Sequence, residues 1–268
     1  MIDNWTIPVR PLTGRAPRDV WVYVPDRAAE DPEARFPVLY MFDGHNLFFD
    51  ETATYGKSWG MGDYLDVTGT ELIVVGIDCD HRPPHARLSE YSPFTFYAPP
   101  YGLIRGKGHK FMRWLVETLK PEIDRRYPTI PDREATWIAG SSMGGLMSLY
   151  AVSAFNGVFS RAAALSPSVY LTDGRIIPLI KRTDFAPGTV VYMDYGEKEL
   201  GTGTGKLNSL KRTAVALLDR GALLTFRMVP GGEHCEASWE RQIPFFLPAL
   251  FYEPPEDPPT DDDSSDEE

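Results

Sequence analysis

Hydrophobic residues along this chain fall into short, nearly unbroken runs, separated by charged or glycine- and proline-rich stretches. Asp19 to Val24 alternates, with Val20, Val22 and Val24 set against Trp21 and Tyr23, and predicts a strand ended by Pro25. Asp26 to Arg35 is charged and broken by prolines, as a loop is. Phe36–Phe42 and Leu72–Ile77 are almost wholly apolar, which suits strands buried on both faces. Ala135–Ala139, Arg161–Leu165, Thr189–Met193 and Ala222–Val229 predict four more strands. Helical spacing runs between them. Phe111, Trp114, Leu115, Leu119, Ile123 and Tyr127 share one face of a helix over 108–127, with a kink expected at Pro121. Leu146 to Ala154 predicts a second helix, and Leu207, Leu210, Ala214 and Leu217 a third, stopped by Gly221. Trp239 to Phe251 reads as helical despite Pro244 and Pro248. Asp78 to Lys107 has no helical period and predicts a long loop of the kind that forms a lid or pocket wall.

Strands alternating with helices imply an α/β fold, with a mostly parallel sheet covered on both faces. Ligands of such sheets gather beyond the carboxyl ends of the strands. The stretch Gly140-Ser141-Ser142-Met143-Gly144-Gly145 stands at one such end, between an apolar strand and a helix. Gly140 to Gly144 fits G-x-S-x-G, the pattern of a strained turn that exposes a nucleophilic serine. Only Ser142, and not Ser141, has glycine two residues away on each side. The following helix aims its N-terminal amides at the place where negative charge would develop.

A serine hydroxyl needs a base, and the base needs a third group to hold its tautomer. Of five histidines, His45, His81, His85 and His109 precede Ser142, and only His234 follows it, in a Gly-Gly-Glu-His turn after the last strand. Asp194, Glu197 and Glu199 all lie in or near the loop after the Thr189–Met193 strand. Glu199 is favoured as the third group because a Gly-x-x-acid turn places it. The strand ending in Asp43-Gly44-His45 lies where a second anion-stabilising amide is expected.

These blocks resemble the esterase-D-like esterase family of α/β hydrolases, which includes enterochelin, feruloyl and acetyl-xylan esterases and S-formylglutathione hydrolases. The resemblance covers about Val20 to Phe251. It rests on Tyr40 through Phe48, on Arg87-Leu88-Ser89-Glu90-Tyr91-Ser92-Pro93, on G-S-S-M-G-G, on Phe159 through Ser168, and on Gly231 through Trp239. It implies the α/β-hydrolase fold, a nucleophile at Ser142, a base at His234 and an acid at Glu199, where the family's usual acid is aspartate. It also implies oxyanion-hole amides from His45 and Met143. The activity implied is that of a serine carboxylesterase acting on a small or medium acyl ester. Thioester hydrolysis, acyl transfer and a non-catalytic interaction module are the alternatives. Trp59, Arg87, Glu90 and Tyr91 are candidate substrate-binding residues, with a structural reading beside each. Arg87 and Glu90 could instead brace the long loop as a pair, and Trp59 and Tyr91 could be core aromatics.

Composition narrows the picture further. The net charge is −11, but residues 253–268 carry nine acidic residues and no basic one, so the remainder is close to balanced. Residues 1–252 read as one esterase domain and 253–268 as a disordered acidic tail. An acidic chain without a clustered basic face is a poor nucleic-acid binder. No run is long enough to span a membrane, and the polar start is unlike a signal peptide, so the expected location is cytoplasmic. Cys79 and Cys235 do not make a disulfide framework. No His/Cys/Asp group has metal-site spacing, and Gly201 to Lys206 lacks the phosphate-loop pattern. The expectation is a small-molecule ester substrate, with no cofactor and no metal.

Overall fold

The computed structural model describes residues 1–99, 101–201 and 203–253. Of the expected acidic tail, residues 254–268 lie outside the described residues. The fold is built on strands β1 (Ile2–Pro8), β2 (Pro17–Tyr23), β3 (Val38–Phe42) and β4 (Ile73–Ile77), a small hairpin of β5 (Phe96–Ala98) and β6 (Gly102–Ile104), and then β7 (Thr136–Ser141), β8 (Arg161–Leu165), β9 (Val190–Gly196) and β10 (Leu223–Val229). Eight of these form one sheet in the order β1-β2-β4-β3-β7-β8-β9-β10. From β4 to β10 the neighbours are parallel, whereas β1 and β2 add an antiparallel edge.

Alternation along the central strands divides the core in two. Val38, Tyr40 and Phe42 face one side, with Ile138, Ala162 and Met193, under the helical segments 108–126 and Met143–Ala154. Leu39 and Met41 face the other, with Trp137, Leu165 and Tyr192, under the helices Met61–Thr68 and Ile243–Leu250. Because both faces are covered, these strands are buried throughout and mostly apolar, which is what made them legible.

Four local expectations change. The Pro121 kink is a widened turn over Leu115–Leu119, immediately ahead of the proline, between the helices Gly108–Trp114 and Lys120–Arg126. Pro121 has no N–H for the Glu117 carbonyl and its ring crowds that carbonyl, so the turn ahead of it opens. The segment 78–107 is not one loop: it holds the helix Ala86–Glu90 and the β5–β6 hairpin, each too short to show a period. The helix expected over 239–251 is two, Glu236–Glu240 and Ile243–Leu250, with Pro244 at the start of the second, where an N–H has no intrahelical acceptor. Residues 2–8, polar in appearance, form β1, whose Ile2, Trp5 and Ile7 pack inward while Asp3 and Asn4 are exposed on the edge strand.

Candidate active site

The turn after β7 takes the backbone of Ser142 to φ 58° and ψ −118°, a region that L-residues rarely occupy. It closes tightly. A Cβ on Gly140 would lie 2.9 Å from the Gly144 carbonyl carbon and 3.0 Å from the Phe42 ring, and a Cβ on Gly144 would lie 3.0 Å from Phe42 Cβ. Side chains there would force the turn open, which explains the two glycines. The Ser142 amide donates to the Leu165 carbonyl at 2.9 Å, pinning the turn to β8. Met143 begins the helix Met143–Ala154, so its amide has no acceptor within the helix, while its side chain is buried in the core.

His234 stands in the turn after β10. Its Nε2 is 2.9 Å from Ser142 Oγ, and its Nδ1 is 2.5 Å from Glu199 Oε2. Glu199 ends a short 3-10 turn, Glu197–Glu199, immediately after β9. The two turns are tied together by the Lys198 amide donating to the Gly232 carbonyl at 3.1 Å. Gly196 makes this approach possible, since a Cβ there would lie 2.5 Å from both Glu199 Oε1 and the Gly232 oxygen. The Glu199 side chain is 4% exposed and the His234 side chain 46%. The imidazole can therefore meet solvent while its carboxylate partner cannot.

Glu199 Oε1 is held in turn by the Ser166 hydroxyl at 2.6 Å and the Gly196 amide at 3.2 Å. Trp239 Nε1 donates to Ser166 Oγ at 3.0 Å, and the Trp239 ring meets the His234 ring edge-on at 5.0 Å. Sequence reasoning assigned no such role to Ser166 or Trp239. Asp194, one of the three candidate acids, lies inside β9 rather than after it, where it accepts the Ser166 amide at 3.1 Å and the Tyr192 hydroxyl at 3.0 Å. Burial pushes its carboxyl up to about 7. Glu197 accepts the Gly231 amide at 3.0 Å. Of the three, Glu199 is the one hydrogen-bonded to His234.

A cavity of about 290 Å³ opens beside Ser142, with Asp43, His45, Arg87, His234 and Glu236 among its lining residues. A larger one, about 790 Å³, lies against Ile7, His109 and Trp114 and shares no residue with it. Of the four substrate-binding candidates, Arg87 lines the Ser142 cavity and the other three do not. Trp59 is buried against Trp239 and Phe246. Tyr91 is buried between Phe42 and Phe111, and its hydroxyl accepts the Asp43 amide at 3.2 Å. Both aromatics are core. Glu90 is buried and takes both arms of Arg18, at 2.6 and 3.0 Å. Arg87 instead grips Asp43 at 2.7 and 2.6 Å, so Arg87 and Glu90 brace the segment through separate partners and not as a pair.

The amide of His45 follows the sharp turn at Asp43 (φ 57°), at the carboxyl end of β3. Among the described residues neither it nor the Met143 amide has a hydrogen-bond acceptor. The His45 ring meets Thr54 Oγ1 through Nε2 at 2.9 Å. Its Nδ1 lies 2.6 Å from Asp78 Oδ1, without the alignment of a hydrogen bond. His81 Nε2 reaches the same oxygen at 2.8 Å. Spacing along the chain suggested no metal-type group, yet His45, Asp78, Cys79 and His81 bring one potential ligand atom each to within 4.8 Å of one another. Glu236, also on the cavity wall, accepts from Asn46 Nδ2 at 3.2 Å, and burial pushes its carboxyl above the ordinary value.

The architecture is shared with solved structures. A ferulic acid esterase superposes with a TM-score of 0.68 at 19% identity, covering 93% of this chain and 97% of that one. An IroE-like serine hydrolase from Shewanella oneidensis gives 0.72 at 18% identity, covering 94% and 78%. At such identities the likeness is one of fold. In sequence, the ferri-bacillibactin esterase BesA of Bacillus subtilis is 26% identical over 197 residues, covering 68% of this chain and 65% of that protein. The uncharacterized protein YbbA of the same organism is 23% identical over 181 residues, covering 66% and 67%. The chain thus spans about two thirds of these relatives' length. No helix among the described residues is long and apolar enough to cross a membrane. Residues 14–258 match the family described as Putative esterase, and with the parallel sheet and the turn at Ser142 in place, this chain belongs to that family of α/β-hydrolase-type esterases.

Proposed function

We propose that this protein is a serine carboxylesterase working through an acyl-enzyme on Ser142, with His234 as the base and Glu199 as the acid that orients it. The observation that carries the reading is the unbroken hydrogen-bonded line from Ser142 Oγ through the His234 ring to Glu199, at 2.9 and 2.5 Å. Ser142 Oγ attacks the ester carbonyl as His234 Nε2 takes its proton, and the buried Glu199 carboxylate balances the imidazolium at Nδ1. The Met143 and His45 amides receive the oxyanion, each worth roughly 3–4 kcal/mol in the barrier. The same proton passes from Nε2 to the departing alcohol. Water, deprotonated at Nε2, then attacks the acyl carbon, and collapse of the second tetrahedral species returns Ser142 its proton.

The cavity supports a compact, polar ester. Its volume, about 290 Å³, is near the lower end of small-molecule sites, and its walls carry Asp43, Arg87, His81 and Glu236. These groups are already paired within the protein, so a long aliphatic chain would displace their water and give nothing polar in return. Hydroxylated aromatic acyl groups, of the kind suggested by the ferulic acid and siderophore esterases among its relatives, would hydrogen-bond with the donor and acceptor positions these groups have left over. The test is a panel of acetyl, butyryl, long-chain, feruloyl and catecholate-siderophore esters, with a thioester alongside, together with fluorophosphonate labelling. Labelling at Ser142 that is lost in Ser142→Ala, with turnover highest for the polar aromatic esters, is expected. Labelling that persists in Ser142→Ala and vanishes in Ser141→Ala would sink the assignment. Preference for long-chain esters would sink the substrate class alone.

A further inference from the structure

We propose that His45, Asp78, Cys79 and His81 form a binding site for one divalent transition ion of the zinc type on the wall of the Ser142 cavity. The four residues leave the carboxyl ends of two neighbouring parallel strands, β3 and β4, whose last residues Phe42 and Ile77 are in register. That register is what brings a histidine from one turn to a segment 33 positions further on. Two neutral imidazoles, a carboxylate and a thiolate are a donor set that suits a borderline-soft ion in tetrahedral coordination.

Two observations point to a ligand rather than to a self-contained cluster. His45 is 8% exposed, and its Nδ1 is aimed at Asp78 Oδ1 from 2.6 Å without forming an aligned hydrogen bond. The same carboxylate oxygen is also approached by His81 Nε2 at 2.8 Å and by the Cys79 amide at 2.7 Å. Three nitrogens crowd one oxygen, and one of them gains little from it. A cation between the ring nitrogens and the carboxylate relieves that crowding.

The second observation is charge. Three neighbouring carboxylates have an arginine: Asp43 has Arg87, Glu90 has Arg18 and Asp80 has Arg82. Asp78, equally buried, has imidazoles and no arginine as its side-chain ion-pair partners among the described residues. A divalent ion with the Asp78 carboxylate and the Cys79 thiolate makes a neutral group, the form that a low-dielectric wall tolerates. The step balances simply: the Cys79 thiol gives its proton to solvent and its sulfur lone pair to the ion.

The geometry needs only small movements. Tetrahedral zinc with metal–ligand distances of ~2.0–2.3 Å sets its ligand atoms roughly 3.3–3.6 Å apart. Cys79 Sγ already lies 3.8 Å from His81 Nε2, and no pair of the four ligand atoms exceeds 4.8 Å. Thr54, meeting His45 Nε2 at 2.9 Å, is the outer partner that fixes the ring of a metal-bound histidine. The bound ion would fasten the turn that presents the His45 amide to the segment after β4.

The test uses the full chain, stripped with chelator and titrated with Zn²⁺ and, separately, Co²⁺. Expected are one equivalent of Zn²⁺ retained through dialysis, a rise in melting temperature with the ion, and tetrahedral cobalt bands with a thiolate-to-cobalt charge-transfer band in the near ultraviolet. Cys79→Ser abolishes the charge-transfer band. His81→Gln, at a side chain 60% exposed whose amide can still donate to Asp78, weakens Zn²⁺ binding by more than the roughly 10- to 100-fold of an outer-shell loss. Both variants keep the wild-type circular dichroism. A wild-type chain that retains no ion, or a cobalt spectrum that survives either substitution, as binding to the acidic tail would give, overturns the proposal.

Discussion

The Ser166 hydroxyl donates to Glu199 Oε1 at 2.6 Å, on the side of the carboxylate away from His234. Ser166 follows β8 and Glu199 follows β9, so this bond joins two adjacent strand ends beneath the imidazole. Trp239 Nε1 fixes the Ser166 oxygen from the other side at 3.0 Å. The carboxylate that orients His234 is thus held at both oxygens, and a side chain that would otherwise have three free torsions is confined to one position.

Removing that hold should cost rate more than affinity. Ser166→Ala leaves Glu199 Oε1 with the Gly196 amide alone and leaves the buried Trp239 Nε1 without an acceptor. A hydrogen bond to a charged group is worth about 1.5–3 kcal/mol. Part of that will be lost to relaxation, so kcat is expected to fall about tenfold. Because Ser166 lies behind Glu199 and not on the cavity wall, KM should stay near wild type. Steady-state kinetics check this, and an unchanged kcat with a raised KM would show that Ser166 meets substrate instead.

Glu199→Gln should lower turnover by several orders of magnitude, on the order of the loss seen when a base loses its orienting anion. Asp194→Asn and Glu197→Gln should be mild, since Asp194 bonds the Ser166 amide and Tyr192, and Glu197 bonds the Gly231 amide. Single-turnover rates with an activated ester separate the three. If Asp194→Asn were the severe variant, the path to His234 would have to run through β9, and the acid assignment would fail.

The backbone at Ser142 makes a separate prediction about stability. A non-glycine residue in a sparsely populated region costs about 1–3 kcal/mol, and glycine gives back roughly 0.5–1 kcal/mol in unfolded-state entropy. With φ 58° and ψ −118°, Ser142→Gly should therefore be more stable than Ser142→Ala by about 1 kcal/mol, though both are inactive. Chemical denaturation of the pair reads the difference directly. Equal midpoints would mean that the turn holds no strain.

Much of the fold was legible because strands buried on both faces cannot hide: β3, β4 and β7 are buried from end to end and carry no charge, and only the aliphatic hydroxyls at the two ends of β7 break their apolar run. The turn at Ser142 was legible for a steric reason, the two glycines, and His234 because no other histidine follows the serine. Glu199 was favoured for its distance from Gly196, and the close approach at Gly196 is the physical basis of that spacing. Contacts between distant segments were not legible. Ser166 and Trp239 are 73 positions apart, and nothing local in either says that one will donate to the other. The grouping of His45 with Asp78, Cys79 and His81 was not legible along the chain because its members arrive from adjacent strand ends. Arg87 and Glu90 were read as a possible pair, but Arg87 takes Asp43 at the end of β3 and Glu90 takes the buried Arg18 of β2, both distant in sequence.

Asp194 should leave a signature in the pH dependence of folding, of the opposite sign to an ordinary salt-bridged aspartate. Its carboxyl is 1% exposed, and burial pushes it up to about 7 in the folded chain, against about 3.9 unfolded. The neighbouring Glu199 carboxylate adds to the rise, whereas the Ser166 amide, the Tyr192 hydroxyl and Arg227 oppose it. Below about pH 4 both states hold the proton and the group is neutral in effect. Between about 4 and 7 the folded chain keeps a proton that the unfolded chain has released, so stability falls as pH rises, by at most about 1.4 kcal/mol per unit. Above about 7 the loss is complete and the dependence levels off. Asp194→Asn cannot titrate, yet its amide can still accept from the Ser166 amide and donate to the Tyr192 oxygen. The variant should therefore be less stable than or equal to wild type near pH 4, and gain on it steadily toward about pH 8. Urea denaturation of both proteins across that range measures the difference, in which titrating groups that do not interact with Asp194 cancel. A constant gap would mean that Asp194 is ionised throughout, and a gap that moves the other way would mean that an unrecognised cation holds it charged.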